Sequence, residues 1–226
     1  MTLNKIIQSL IKEIIQIEVS GKKIIKGTVI DLGSDIIVLF NGADYVYIPF
    51  NHIQSLNVIQ INEFDIIDPT ELPGITTGEN NGDLSLQNTL NLATGKNVEI
   101  YITNDQLLHG CITQIKDDYF EFYSPICKTM YISINHLKWL IPYSQNVSPY
   151  GLDDNYSRQL NQDTIASTFE AQVGKFKDKM VVLNIGGNRS HIGKIKNVEE
   201  QIVELQRART APIYLNIDHI KTLHQV

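Results

Sequence analysis

Tyr214-Leu215-Asn216-Ile217-Asp218-His219-Ile220-Lys221-Thr222-Leu223 is one of three versions of the same ten-residue stretch in this 226-residue chain. Tyr131-Ile132-Ser133-Ile134-Asn135-His136-Leu137-Lys138-Trp139-Leu140 is the second. Tyr47-Ile48-Pro49-Phe50-Asn51-His52-Ile53-Gln54-Ser55-Leu56 is the third. His136 follows His52 by 84 residues and His219 follows His136 by 83. Nearly equal spacing points to internal repeats, a module present in three copies.

Working outward from each stretch gives the same grammar. In the first copy, Leu3, Ile6, Ile7 and Leu10 recur at helical spacing. Ile15, Ile17 and Val19 then alternate as a strand, and Gly21 and Gly33 mark turns. Ile37 with Leu39, and Val46 with Ile48, give two further inner faces, and Leu56 to Ile59 a fifth strand. One helix and about five short strands describe a small curled barrel, with a small core that gains from neighbouring copies. The second copy repeats the registers, with Leu86, Leu90 and Ala93 as its helix face. The third places Phe169, Val173 and Phe176 on a helix capped by Asp163. The predicted fold is therefore mainly β: three tandem small barrels over 1–60, 84–141 and 163–226, with linkers over 61–83 and 142–162. Pro and Gly break both linkers. In the first linker, Phe64, Ile66 and Ile67 are expected to pack onto the first barrel.

Gly27, Gly110 and Gly193 recur in mid-strand, where glycine marks a bend that lets a small sheet close. Gly21, Asn104 and Gly187 suit a tight turn. His52, His136 and His219 invite a metal or acid–base reading. Each sits in a different module without a companion cysteine or paired carboxylate, so no shared metal is expected. Asn51, Asn135 and Asp218 are read as opening a short helical turn in which each histidine packs or hydrogen-bonds locally. Arg189, beside Gly186-Gly187, and Arg207 with Arg209 form a candidate anion-contacting surface. Ile36, Val38 and Phe40 form a wholly apolar outward face, the candidate interaction surface. Cys111 and Cys127 fall at positions read as exposed, and two cysteines do not make a disulfide framework.

The net charge of −6, without a strong basic run, argues against nucleic acid as partner. No apolar run reaches membrane-spanning length. Met1 to Gln16 lacks the apolar core and cleavage site of a secretion signal, so synthesis is expected in the cytoplasm. No nucleophile motif, phosphate loop or ligand set emerges, so neither enzymatic activity nor a cofactor is expected.

The helix and strand, the Gly186-Gly187 pair with Gly193, and the Tyr214-to-Leu223 stretch resemble the globular repeats of the Bacillus spore coat protein B family. Ser20-Gly21 and Thr103-Asn104 replace the glycine pair in the first two copies, and the family's Ser/Lys-rich tail has no counterpart. The resemblance implies a structural protein of the spore coat, working through self-association or contact with other coat proteins. The helix-plus-five-strand order is also similar to Sm-like and SH3-like barrels, and that analogy supplies the alternative, a nucleic-acid-binding module.

Overall fold

A computed structural model describes residues 9–59, 75, 83–103, 106–144, 147–152, 164–186 and 190–226. In chain order, the first five strands are β1 (Ile14–Val19), β2 (Lys23–Leu32), β3 (Ile36–Phe40), β4 (Tyr45–Pro49) and β5 (Ile53–Val58). Helix α1 (Leu86–Ala93) precedes β6 (Asn97–Thr103), β7 (Gln106–Ile115), β8 (Tyr119–Ser124), β9 (Lys128–Ser133) and β10 (Trp139–Pro142). Helix α2 (Phe169–Gly174) precedes β11 (Met180–Leu183), β12 (His191–Glu199), β13 (Ile202–Gln206), β14 (Ile213–Asn216) and β15 (Thr222–Gln225).

By hydrogen-bonded neighbour the strands run β14-β13-β12-β11-β15-β9-β8-β7-β6-β10-β4-β3-β2-β1-β5, in one fifteen-stranded sheet. This corrects the expectation of three closed Sm-like or SH3-like barrels. β14 and β5 end the order and do not pair with each other, so the sheet is not closed. The internal repeats do not survive as separate structural units either. Two α-helices are present among the described residues, one before the second set of strands and one before the third. The chain instead groups into two compact units, Met1–Tyr101 with Lys138–Val147, and Ile102–Leu137 with Ser148–Val226. The physical reason lies in the strands after His136 and His219: β10 and β15 pair with β6 and β11 of their own copy, but also with β4 and β9 of the copy before.

In the first unit, Ile15, Ile17 and Val19 alternate with half-buried polar residues along β1, and all three are buried. They meet Ile37, Leu39, Val46 and Ile48 in one core cluster. Trp139 joins it, stacked on Tyr101 with ring centroids 4.0 Å apart. Every residue of β3 is buried, as in a strand covered on both faces. Val38 lies opposite Tyr47, which places both on one face, and the Tyr47 hydroxyl donates to the carbonyl of Ile75. Ser34 N–H donates to Leu84 O at 2.8 Å, bringing the α1 approach to the end of β3.

In the second unit, Phe169 and Val173 of α2 and Phe176 after it pack with Tyr119, Val181, Ile195 and Leu223. Thr168 caps α2, its side chain accepting from Ala171 N–H. The expected cap Asp163 lies outside the described residues, as do residues 1–8 of the expected first helix and the linker residues Phe64, Ile66 and Ile67.

β2, β7 and β12 each carry a bulge, between Val29 and Asp31, Ile112 and Gln114, and Ile195 and Asn197. A bulge bends its strand, so these positions add curvature near the repeated glycines. Gly27, Gly110 and Gly193 also meet a steric need. A Cβ there would sit 2.5, 2.0 and 2.5 Å from the carbonyl oxygens of Phe40, Tyr123 and Gln206 on the adjoining strand.

Candidate functional site: the tyrosine–leucine strand joints

Each ten-residue stretch runs from a strand through a single 3₁₀ turn into the next strand. The turns span Phe50–His52, Ile134–His136 and Ile217–His219. They begin one residue before Asn51, Asn135 and Asp218. In the third, Asn216 is the cap, its side-chain oxygen accepting from Asp218 N–H at 2.8 Å.

The turn reverses the chain so that its two ends serve different partners. The tyrosine end stays with its own hairpin: Tyr47 lies opposite Val38, Tyr131 opposite Glu121 and Tyr214 opposite Glu204. The leucine end pairs with the first strand of its own copy, and in the second and third copies also with a strand of the copy before. Leu140 of β10 lies opposite Tyr47 of β4. Leu223 of β15 lies opposite Tyr131 of β9, flanked by Thr222 against Ile132 and His224 against Met130. The first and last residues of the motif are thus cross-strand partners between one stretch and the preceding one. Ser133 N–H donates to Lys221 O at 3.0 Å and extends the second joint toward the turns.

One of the histidines braces a joint. The Nε2–H of His136 donates to the Asp218 carbonyl, 2.8 Å away across 82 residues, which ties it to the turn of the next stretch. His52 Nδ1 is hydrogen-bonded to Ser20 Oγ at 3.0 Å, tying the first turn to the end of β1. His219 is exposed, and its carbonyl accepts from Asn184 Nδ2 at 3.1 Å. Asn184 also accepts from Lys221 N–H at 2.7 Å and holds the left-handed conformation at φ 57° that its residue type tolerates. Among the described residues, no group of three His, Cys, Asp or Glu is placed to hold a metal ion. A small cavity beside the third turn, about 140 Å³ and lined by Asn184, His191, Asn216, His219 and Lys221, is below the usual size of a small-molecule site.

The other candidate residues are dispersed. Arg207 and Arg209 are exposed in the loop before β14, while Arg189 lies outside the described residues. Burial, helped by the charge of Arg207, holds the imidazole of His191 below its ordinary pKa. Ile36, Val38 and Phe40 are buried within the chain; the Tyr47 hydroxyl, opposite Val38, donates to Ile75 O, and Ser34 N–H, just before β3, donates to Leu84 O. The outward face read from alternation is therefore not a free surface. Cys111 is buried as well, contrary to its exposed-type reading, and burial pushes its thiol up to about 11. Cys127 is half-buried, its thiol also raised by burial, and both cysteines are free.

One pair of residues carries a role that the sequence reading missed. Asp35 Oδ1 accepts from Leu86 N–H at 2.7 Å, and Asp118 accepts from Phe169 N–H, so each helix start is held by a carboxylate from a β-turn 51 residues earlier. The equal separation of Asp35 from Leu86 and Asp118 from Phe169 was the available signal.

The family model described as the YwrJ third domain matches residues 168–223, from the cap of α2 to the last leucine of the motif. The protein YwrJ of Bacillus subtilis (strain 168) is 34% identical over 217 residues, 93% of this chain and 94% of that protein. Spore coat protein B of the same strain is 23% identical over 143 residues, 63% of this chain and 36% of that protein.

Proposed function

The chain belongs to the YwrJ family, and on that premise we propose that it is a structural component of the bacterial spore coat that works by protein–protein assembly. The similarity to spore coat protein B over 63% of the chain carries this reading. The physical arrangement supports it. The motif residues are engaged in strand pairing and in bracing turns, which is the work of a scaffold. Strand edges at both ends of the sheet order offer backbone donors and acceptors to further strands. The partners are other coat proteins or further copies of the chain, and the net charge of −6 sets nucleic acid aside. The role needs no catalytic step and no cofactor.

Fractionation tests the reading. Antibody detection in coat extracts of purified spores, with none in vegetative cells, is the expected result. Protein confined to vegetative cytoplasm, and absent from spores, would overturn it.

A further inference from the structure

Two leucine–tyrosine pairs join the three motif stretches, and the third possible pair is open. Leu140 meets Tyr47 and Leu223 meets Tyr131. That leaves Leu56 on β5 and Tyr214 on β14, the two strands that end the sheet order. We propose that β5 of one copy of this chain pairs antiparallel with β14 of a second copy, Leu56 opposite Tyr214, repeating the internal joints between molecules.

Exposure marks the open joint. Tyr47 and Tyr131 are 1% and 8% exposed, whereas Tyr214 is 68% exposed. Leu140 and Leu223 are buried, whereas Leu56 is only half-buried. Backbone direction agrees. Antiparallel ladders alternate, so every second residue turns its N–H and C=O to the same side. Ile59 N–H donates inward to Ile14 O, which assigns Ser55 and Asn57 to β1 and directs the backbone of Leu56 to the outer edge, while the register shift after Ser55 leaves Gln54 without a partner on β1. Ile217 N–H donates inward to Gln201 O, which likewise directs the backbone of Tyr214 and Asn216 outward from β13. The bond from Ser133 N–H to Lys221 O then has its intermolecular counterpart in Asn216 N–H to Gln54 O.

The composition of neither edge discourages pairing, and the bulge in the β1–β5 ladder lies on the Gln54 side of Leu56. β5 reads Ile-Gln-Ser-Leu-Asn-Val and β14 reads Ile-Tyr-Leu-Asn, with no charge and no proline in either. The contact joins two different surfaces, so it is head-to-tail, and each added copy presents the same two edges again. The inference deepens the assembly reading but rests on pairing geometry. Its test uses purified protein, so it can fail while the spore-fraction result stands.

The test uses the whole chain. Sedimentation velocity of the wild type over a concentration series should show a rising sedimentation coefficient. Tyr214→Pro, which removes an outward N–H from an exposed residue and leaves the ladder to β13 intact, should abolish the rise with the circular dichroism unchanged. Gln54→Cys and Asn216→Cys, each at an exposed position, should form a disulfide-linked dimer when mixed, well above either variant alone. Hydrogen-bonded cross-strand pairs have a Cα separation of about 5.5 Å, within the range a disulfide accepts. A wild type that stays monomeric at every concentration overturns the proposal. So does a mixture that cross-links no better than the single variants. A chain carrying both cysteines that cross-links to itself shows that the edges close within one molecule, and also overturns it.

Discussion

The carboxylate of Asp118 accepts the backbone N–H of Phe169 through both oxygens, at 3.1 and 3.0 Å, across 51 residues of sequence. Phe169 opens α2, and the first N–H groups of a helix have no partner within it. A carboxylate there satisfies a donor and places negative charge at the positive end of the helix dipole. Asp118→Ala should therefore lower stability by about 1–2 kcal/mol. Asp118→Asn keeps an acceptor and should lose less. Urea unfolding midpoints check both, and an alanine variant with the wild-type midpoint would refute the capping role.

Gly110 and Gly174 should respond in opposite directions to the same change. A Cβ on Gly110 would meet Tyr123 O at 2.0 Å, and backbone cannot swing aside as a side chain can. Gly110→Ala should cost at least about 1–3 kcal/mol, or abolish soluble expression. Gly174 ends α2 with nothing within 4 Å of the added carbon. Gly174→Ala should stabilise by about 0.5–1 kcal/mol. Thermal unfolding of the two variants side by side decides the contrast.

Val38→Glu should prevent folding rather than weaken association. Val38 is buried between strands, and an uncompensated charge there costs about 3–5 kcal/mol. Circular dichroism of the variant should show lost structure. A folded variant impaired only in self-association would restore Ile36, Val38 and Phe40 as an external surface.

His224 should tie part of the stability to pH. Burial holds its imidazole below the ordinary value of about 6.5, while the unfolded chain keeps that value. As pH falls through about 6.5, the unfolded state takes up a proton that the folded state refuses, so stability drops. The contribution is present above that pH and declines on acidification toward the folded value. Wild type should thus lose more stability between pH 7 and pH 5.5 (about one unit below the reference value) than His224→Gln does. Equal losses would show that His224 is not the group responsible.

Much of the local structure was legible, and the long-range pairing was not. The alternation Ile15, Ile17, Val19 faces the core as a period of two requires. The motif histidines do lie in short helical turns. What a period of two does not encode is which neighbour accepts a strand. The pattern of Trp139 to Pro142 is the same whether the strand pairs with β6 alone or also lies against Tyr47. For the same reason Ile36, Val38 and Phe40 looked external. Alternation assigns two faces but does not say that both are buried. The anchors of the histidines, Ser20 for His52 and the Asp218 carbonyl for His136, are choices of tertiary contact that no local pattern carries.

Pro49 occupies the place in the first joint that Ser133 occupies in the second. Ser133 donates its N–H to Lys221 O, and proline has none to give. The β4–β10 seam therefore lacks one rung that the β9–β15 seam possesses. Breathing motions of the folded chain should start there, with the amide of Leu140 exchanging its proton for deuterium sooner than that of Leu223. A chain built on one recurring joint would then come apart in a set order, because a single imino acid makes one hinge looser than its twin.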